Sequence, residues 1–375
     1  MLRALVVMPL GEIRGGAELL LQHLVEQRDE ARLEPTVAFL HDGPMVESCR
    51  AADVSCVVVE AGRLRQPRMI GRTVRALARI AREQRSQVLV GWMSKGQVYA
   101  AAAAVAARLP SVWSQAGIAS RRAPIDLLAA ALPAELVVTP SRGADAEQRK
   151  LTPRRPTRVI YPAVDTARFD PGLVGPQSAV RRRLGLPEGV PIFGSVGRLD
   201  RWKGFHVLLE AVPRVVERHP DAHFVLVGGP HEFDPGYAVE LHEQAGRMGV
   251  DGRVLLVGQQ ANPHEWMQAM DVFVHASQNE PFGMVVIEAM ALGKPVVASA
   301  EGGPTEVITP GVDGLLAPFG DHRAFADAIS RYLGDAGLRA RVGRAAALRA
   351  QDFTVQRFAR ELGAVLAEVV GHGRA

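Results

Sequence analysis

Short apolar runs alternate along the chain with longer stretches of helical periodicity. The runs begin at Leu2, Pro35, Val54, Gln87, Ser111, Leu136 and Arg158, then at Ile192, His223, Arg253, Val272, Pro295 and Gly314. They are rich in Val, Leu and Ile on both faces, which predicts strands buried on both sides. Helical periodicity fills most of the gaps, for example over residues 16–27 and 72–84. Strands alternating with helices predict parallel sheets with helices on both faces. The alternation pauses between Asp165 and Gly189, where Pro171, Pro176, Pro187 and several glycines predict a linker with a short helix over residues 181–184. The expected class is α/β, with two doubly wound Rossmann-like domains at residues 1–168 and 189–352 and a linker at 169–188. A C-terminal helix at 353–375 should pack back towards the first domain. A ligand cleft is expected between the domains, outside the C-terminal ends of the strands.

Composition narrows the class. The 375 residues are 47% hydrophobic and 22% charged, as in a folded water-soluble protein of two ordinary domains. The apolar start of the chain stops at Pro9 and reads as a buried strand rather than a signal peptide. No apolar run reaches the roughly 18 residues of a membrane span, and the alanine-rich residues 99–107 predict a buried helix. Two cysteines, Cys49 and Cys56, are too few for a disulfide framework or a zinc ribbon, which points to a reducing compartment. The expected location is cytoplasmic. High Ala, Arg and Gly usage suggests a bacterial source. The net charge of +4 conceals a division: residues 1–170 hold 24 Lys and Arg against 17 Asp and Glu, whereas the remainder holds 20 against 23. Nothing in this balance indicates a nucleic-acid partner.

Four segments carry candidate chemistry, each directly after an expected strand. The strongest runs from Asn279 to Pro295. Its polar loop holds Glu280 and leads to Gly283, which permits a tight turn at a helix start; the helix then carries Glu288 and stops at Gly293. Free N–H groups near Gly283 and Met284 suit anionic or hydroxyl-rich ligands. Taken alone, the two glutamates could equally be a solvated loop residue and a helix-face charge. The second segment, Gly194 to Gly204, places Arg198 and Lys203 beside a helix start, a pyrophosphate site in kind, though it is not a Walker loop. The third, Gly11 to Glu18, offers Gly15 and Gly16 for close backbone approach. The fourth is Gly302-Gly303-Pro304-Thr305-Glu306.

In this order the segments resemble the retaining glycosyltransferases of the GT-B fold, in the large family four, the group 1 glycosyl transferases. The resemblance covers nearly the whole chain and is strongest over residues 192–316. Tyr161-Pro162-Ala163-Val164-Asp165 is similar to that family's entrance to the linker. The resemblance implies a UDP- or GDP-sugar donor on the second domain and transfer of a hexose to a glycan, lipid-linked or small-molecule acceptor. Arg198 and Lys203 would hold the diphosphate, and Glu288 the ribose hydroxyls. Glu280 and the backbone of Phe282, Gly283 and Met284 would position the sugar, Gln259 would lie near the base, and Gly15 and Gly16 would approach from the first domain. Glu280, Arg198 and Lys203 are the expected catalytic residues. No cofactor or metal is expected, and the sequence contains no Asp-x-Asp. The alternatives are another GT-B chemistry, such as nucleotide-sugar epimerisation, or a catalytically silent sugar-nucleotide-binding protein.

One departure concerns the acceptor side. Many members of the family carry a His after the fifth strand, where this chain reads Val112-Trp113-Ser114-Gln115-Ala116-Gly117. Ser114 or Gln115 could contact sugar hydroxyls there, and Lys95 could point into the cleft. Arg65, Arg68, Arg72, Arg75, Arg79 and Arg82 recur at helical spacing, opposite Ile70, Val74, Leu77 and Ala81. Three readings of this stripe stand open: a solvated face, a contact with an anionic membrane on its inner side, or recognition of a phosphorylated or acidic acceptor.

Overall fold

The computed structural model describes residues 1–62, 65–230 and 234–372. The chain divides into two compact units, Met1–Ala163 with Val355–Ala375, and Val164–Thr354. The boundary falls inside Tyr161-Pro162-Ala163-Val164-Asp165. Residues 169–188 belong to the second unit rather than standing between two domains. The reason is local. Gln177 and Arg181 donate to the carbonyls of Ala269 and Met270, and Arg181 forms a buried ion pair with Asp271 at 2.7 Å.

The first unit holds strands β1 (Leu2–Met8), β2 (Leu33–Phe39), β3 (Ser55–Val58), β4 (Val88–Trp92), β5 (Ser111–Ser114), β6 (Leu136–Thr139) and β7 (Thr157–Val159). All pairings are parallel, in the order β3-β2-β1-β4-β5-β6-β7. Side chains alternate between the faces of β1. Val6 and Met8 pack with Leu20, Leu24, Phe358 and Leu362, whereas Leu5 and Val7 pack with Leu77, Tyr99 and Ala100. The C-terminal helix Val355–His372 is therefore core of this unit. Its Gly363 lies so close to Ala31 that an added Cβ would sit 2.0 Å from that carbonyl oxygen.

The second unit holds β8 (Ile192–Val196), β9 (His223–Val227), β10 (Val254–Leu256), β11 (Val272–His275), β12 (Val296–Ser299) and β13 (Leu315–Ala317), again all parallel, in the order β10-β9-β8-β11-β12-β13. Phe193, Phe224, Val272, Val274 and Val297 form a core with helices Phe205–Arg218 and His322–Leu333. Each sheet reverses its direction of strand addition once: between β1 and β4 in the first, and between β8 and β11 in the second. Loops leaving the C-terminal ends of strands diverge at such a reversal and leave a crevice, the preferred ligand position of doubly wound sheets.

All thirteen expected strands are present, each starting within two residues of its expected position. The helix expected over 72–84 begins earlier, at Pro67, whose fixed φ suits a first helical position. The alanine-rich segment is helix Met93–Ala107, buried through most of its length. Among the described residues no helix is long and apolar enough to cross a membrane.

Candidate active site

Three candidates, Arg198, Lys203 and Glu280, lie on the loops that leave β8 and β11 at the reversal point of the second sheet. After β8 the chain passes Arg198 and makes a single 3-10 turn, Arg201–Lys203. It then enters helix Phe205–Arg218 through Gly204 at φ +70°. A Cβ on Gly204 would lie 2.1 Å from the Ala276 carbonyl oxygen, so only glycine lets this loop reach the one that follows β11. The two loops are joined by Gln278, whose N–H donates to the Trp202 carbonyl at 2.7 Å. A third loop, after β12, closes against the second. The N–H of Gly303 donates to the Glu280 carbonyl at 2.8 Å, and Gly302, at φ +66°, leaves no room for a side chain beside the Glu280 backbone. The Gly302-Gly303 pair is thus the support of Glu280.

These backbone contacts bring the carboxylate of Glu280 to Nζ of Lys203 at 2.7 Å and Nε2 of His275 at 3.0 Å. Burial pushes the Glu280 pKa upwards. The lysine charge and the histidine hydrogen bond outweigh burial and hold the carboxyl well below the ordinary range, so it is ionised. The Lys203 ammonium also lies over the Trp202 ring, 4.0 Å from its centroid. Arg198 pairs with Asp200 at 3.2 Å, and its side chain is 41% exposed.

Glu288 stands apart. It lies in helix Met284–Ala291, which begins at Gly283 (φ +96°). It is only 7% exposed, and its carboxylate accepts no hydrogen bond from a described residue. Burial raises its pKa to about 7, with Arg168 pulling the other way. Of the alternatives open from the sequence, a solvated helix-face charge is excluded by this burial. Phe282 is buried and packs edge-on against Phe353, and the N–H groups of Gly283 and Met284 open a helix, where intrahelical acceptors are lacking. Gln259 is exposed in the turn after Gly258, which is at φ +71°.

The remaining candidates belong to the first unit. Gly15 and Gly16 begin helix Gly16–Glu26 after β1. Ser114 ends β5 and is buried, and Gln115 follows it. Gln115 donates to the Ser94 hydroxyl at 3.3 Å, and Ser94 donates to Asp126 at 2.5 Å. Lys95 is half-buried. It sits in the first turn of helix Met93–Ala107 with Nζ 2.9 Å from Nε2 of His41, and burial lowers its pKa. The sequence reading singled out neither His275 nor the contact of His41 with Lys95. His275 ends a strand five positions before Glu280, a spacing without meaning until the loop folds back. Arg65 precedes helix Pro67–Glu83, and Arg68, Arg72, Arg75, Arg79 and Arg82 lie along its exposed face.

Residues 176–349 match the family model described as glycosyl transferases group 1. The second unit belongs to this family. Across the wider chain, a D-inositol 3-phosphate glycosyltransferase of Corynebacterium urealyticum is 34% identical over 232 residues, 60% of this chain and 54% of that protein. The lipopolysaccharide core biosynthesis glycosyltransferase LpsE of Rhizobium meliloti is 37% identical over 181 residues, 48% of this chain and 49% of that protein. The chain spans about half the length of the curated relatives it matches. Among solved structures, Anabaena Alr3699/HepE in complex with UDP and glucose aligns with a TM-score of 0.85 at 28% identity, covering 98% of this chain and all of that one. The architecture of the chain is GT-B.

Proposed function

We propose that the chain transfers a hexose from a nucleotide-diphosphate sugar, with UDP or GDP as nucleotide, to an acceptor hydroxyl on a glycan, lipid-linked or small-molecule acceptor. The observation that carries this reading is the assembly of Arg198, Lys203 and an ionised Glu280 at the reversal point of the second sheet. The likeness to a protein crystallised with UDP and glucose supports it, as do relatives named as glycosyltransferases.

Arg198 and Lys203 supply fixed positive charge where the departing diphosphate gains negative charge, a stabilisation that requires no metal. Glu288 accepts hydrogen bonds from the ribose hydroxyls, and Glu280 accepts from a hydroxyl of the sugar. As the bond from the anomeric carbon to the diphosphate oxygen breaks, the acceptor oxygen bonds that carbon on the same face. A phosphate oxygen takes the acceptor proton. Configuration is retained without a covalent protein intermediate. In the absence of the family histidine, Ser114 or Gln115 contacts the acceptor hydroxyls.

The test is nucleotide release from a panel of UDP- and GDP-sugars, with and without acceptor, in the presence of EDTA. Lys203→Ala should lower transfer by about a hundredfold or more while the protein stays folded. A Lys203→Ala variant of wild-type activity, or a wild type that turns over no nucleotide sugar, defeats the reading.

A further inference from the structure

His275 is the last residue of β11 and is 2% exposed. Its Nε2 lies 3.0 Å from Oε2 of Glu280, the same oxygen that receives Lys203 Nζ at 2.7 Å. An ionised carboxylate only accepts, so Nε2 must carry the hydrogen, and the tautomer is set. Burial lowers the pKa of the imidazole. The hydrogen bond and charge of Glu280 oppose that shift and Lys203 reinforces it. The ring is therefore a neutral donor. Two donors from two different segments thus occupy Oε2, while Oε1 accepts nothing from a described residue.

This division of labour matters when a ligand arrives. A diphosphate competes for the Lys203 ammonium, and a buried carboxylate that loses its only partner is costly. His275 removes that difficulty, because it keeps Glu280 hydrogen-bonded and fixed in rotation after the lysine turns to phosphate. We propose that His275 is a positioning residue that holds Oε2 of Glu280 so that Oε1 faces a hydroxyl of the donor sugar, independently of where Lys203 points. The proposal rests on the reading of this site as a nucleotide-sugar site.

The experiment is calorimetric titration of the full chain with UDP, GDP, UDP-glucose, UDP-N-acetylglucosamine and GDP-mannose. It reads the affinity gained from the sugar over the bare nucleotide. His275→Leu should reduce that gain about tenfold, the worth of one hydrogen bond to a charged group. Its affinity for the bare nucleotide should stay within about twofold of wild type, since the phosphate and ribose contacts are untouched. Gln carries an amide nitrogen where imidazole Nε2 sits, so His275→Gln should restore most of the gain. His275→Asn, one carbon shorter, should not. In a Glu280→Gln background the His275→Leu change should cost nothing further. A leucine variant that keeps the full gain overturns the proposal. So does one that loses bare-nucleotide and sugar-nucleotide affinity equally, or a glutamine variant that fails as badly as asparagine. If His275→Leu does not fold, the Gln and Asn pair decides. A wild type that binds neither UDP nor GDP defeats the nucleotide-sugar reading itself. One that binds nucleotides with no gain from any of the sugars defeats the role of Glu280, and that of His275 with it.

Discussion

Glu288 and Glu280 are eight residues apart and carry opposite perturbations. Glu280 is held ionised by two donors, whereas burial leaves Glu288 with a pKa near 7. The sign of each consequence can be worked out. The folded pKa of Glu288 lies above its ordinary value of 4.5, so its stabilising contribution is complete below pH 4.5 and is lost as pH rises through about 7. Glu288→Gln does not titrate. Its stability relative to wild type should increase between those values and then level off, by on the order of 3 kcal/mol. Thermal melts at pH 5 and pH 8 read this directly. Donor affinity should move the other way. Ribose hydroxyls donate to the carboxylate form, so wild-type affinity should fall towards about tenfold per pH unit below 7, while Glu288→Gln binds weakly with no such slope. A flat wild-type profile contradicts the ribose assignment. The spacing of these glutamates is legible in sequence. Their different charge states are not, because burial and the position of Lys203, 77 residues before Glu280, are properties of the folded loops.

At the scale of elements, strands were legible and loop contacts were not. A strand buried on both faces declares itself through a nearly continuous apolar run, since few polar positions are tolerated on either side. Helix ends were less legible. The helix expected over 353–375 begins at Val355, and residues 351–354 separate it from helix Ala336–Ala350, with Phe353 turned in against Phe282. The loops are held by glycines whose necessity is spatial. Gly302→Ala places a Cβ 2.3 Å from the Glu280 carbonyl oxygen at a left-handed φ. It should cost about 1–3 kcal/mol and displace Glu280, lowering transfer at least about tenfold. Gly311→Ala is the control. It has a similar φ of +79° but meets nothing within 4 Å, so it should cost stability while sparing activity. Melting temperature and initial rate of the two variants separate backbone strain from loss of the site.

At the scale of the whole molecule, the last helix connects sequence ends that look unrelated. Phe358, Leu362 and Leu366 lie in the core of the first unit, with Leu20, Leu24 and Leu33. Deletion of residues 355–372 should therefore unfold the first unit and leave the second, Val164–Thr354, intact. Calorimetry should show one surviving transition, still raised by UDP or GDP. Charge belongs to this scale too. The exposed arginines of helix Pro67–Glu83 fit all three readings of the stripe, and the anionic-membrane reading has a direct test. Flotation with vesicles containing anionic lipid should carry the protein, and the combined Arg72→Glu, Arg75→Glu and Arg79→Glu variant should stay behind in neutral and anionic vesicles alike. Equal flotation of wild type with both kinds of vesicle contradicts the contact.

The sequence by itself determined the strands, their parallel class, the two doubly wound halves and the candidate donor residues. Apolar periodicity and glycine placement are local quantities, and burial on both faces of a sheet leaves them little freedom. The tertiary structure decided which residues touch. It joined His275 and Lys203 on one oxygen of Glu280, buried most of Glu288, drew residues 169–188 into the second unit and placed the last helix in the first. Each of these is a contact between segments distant in sequence or folded back by a turn. Its energy depends on distance and dielectric, which have no value until the chain has closed on itself.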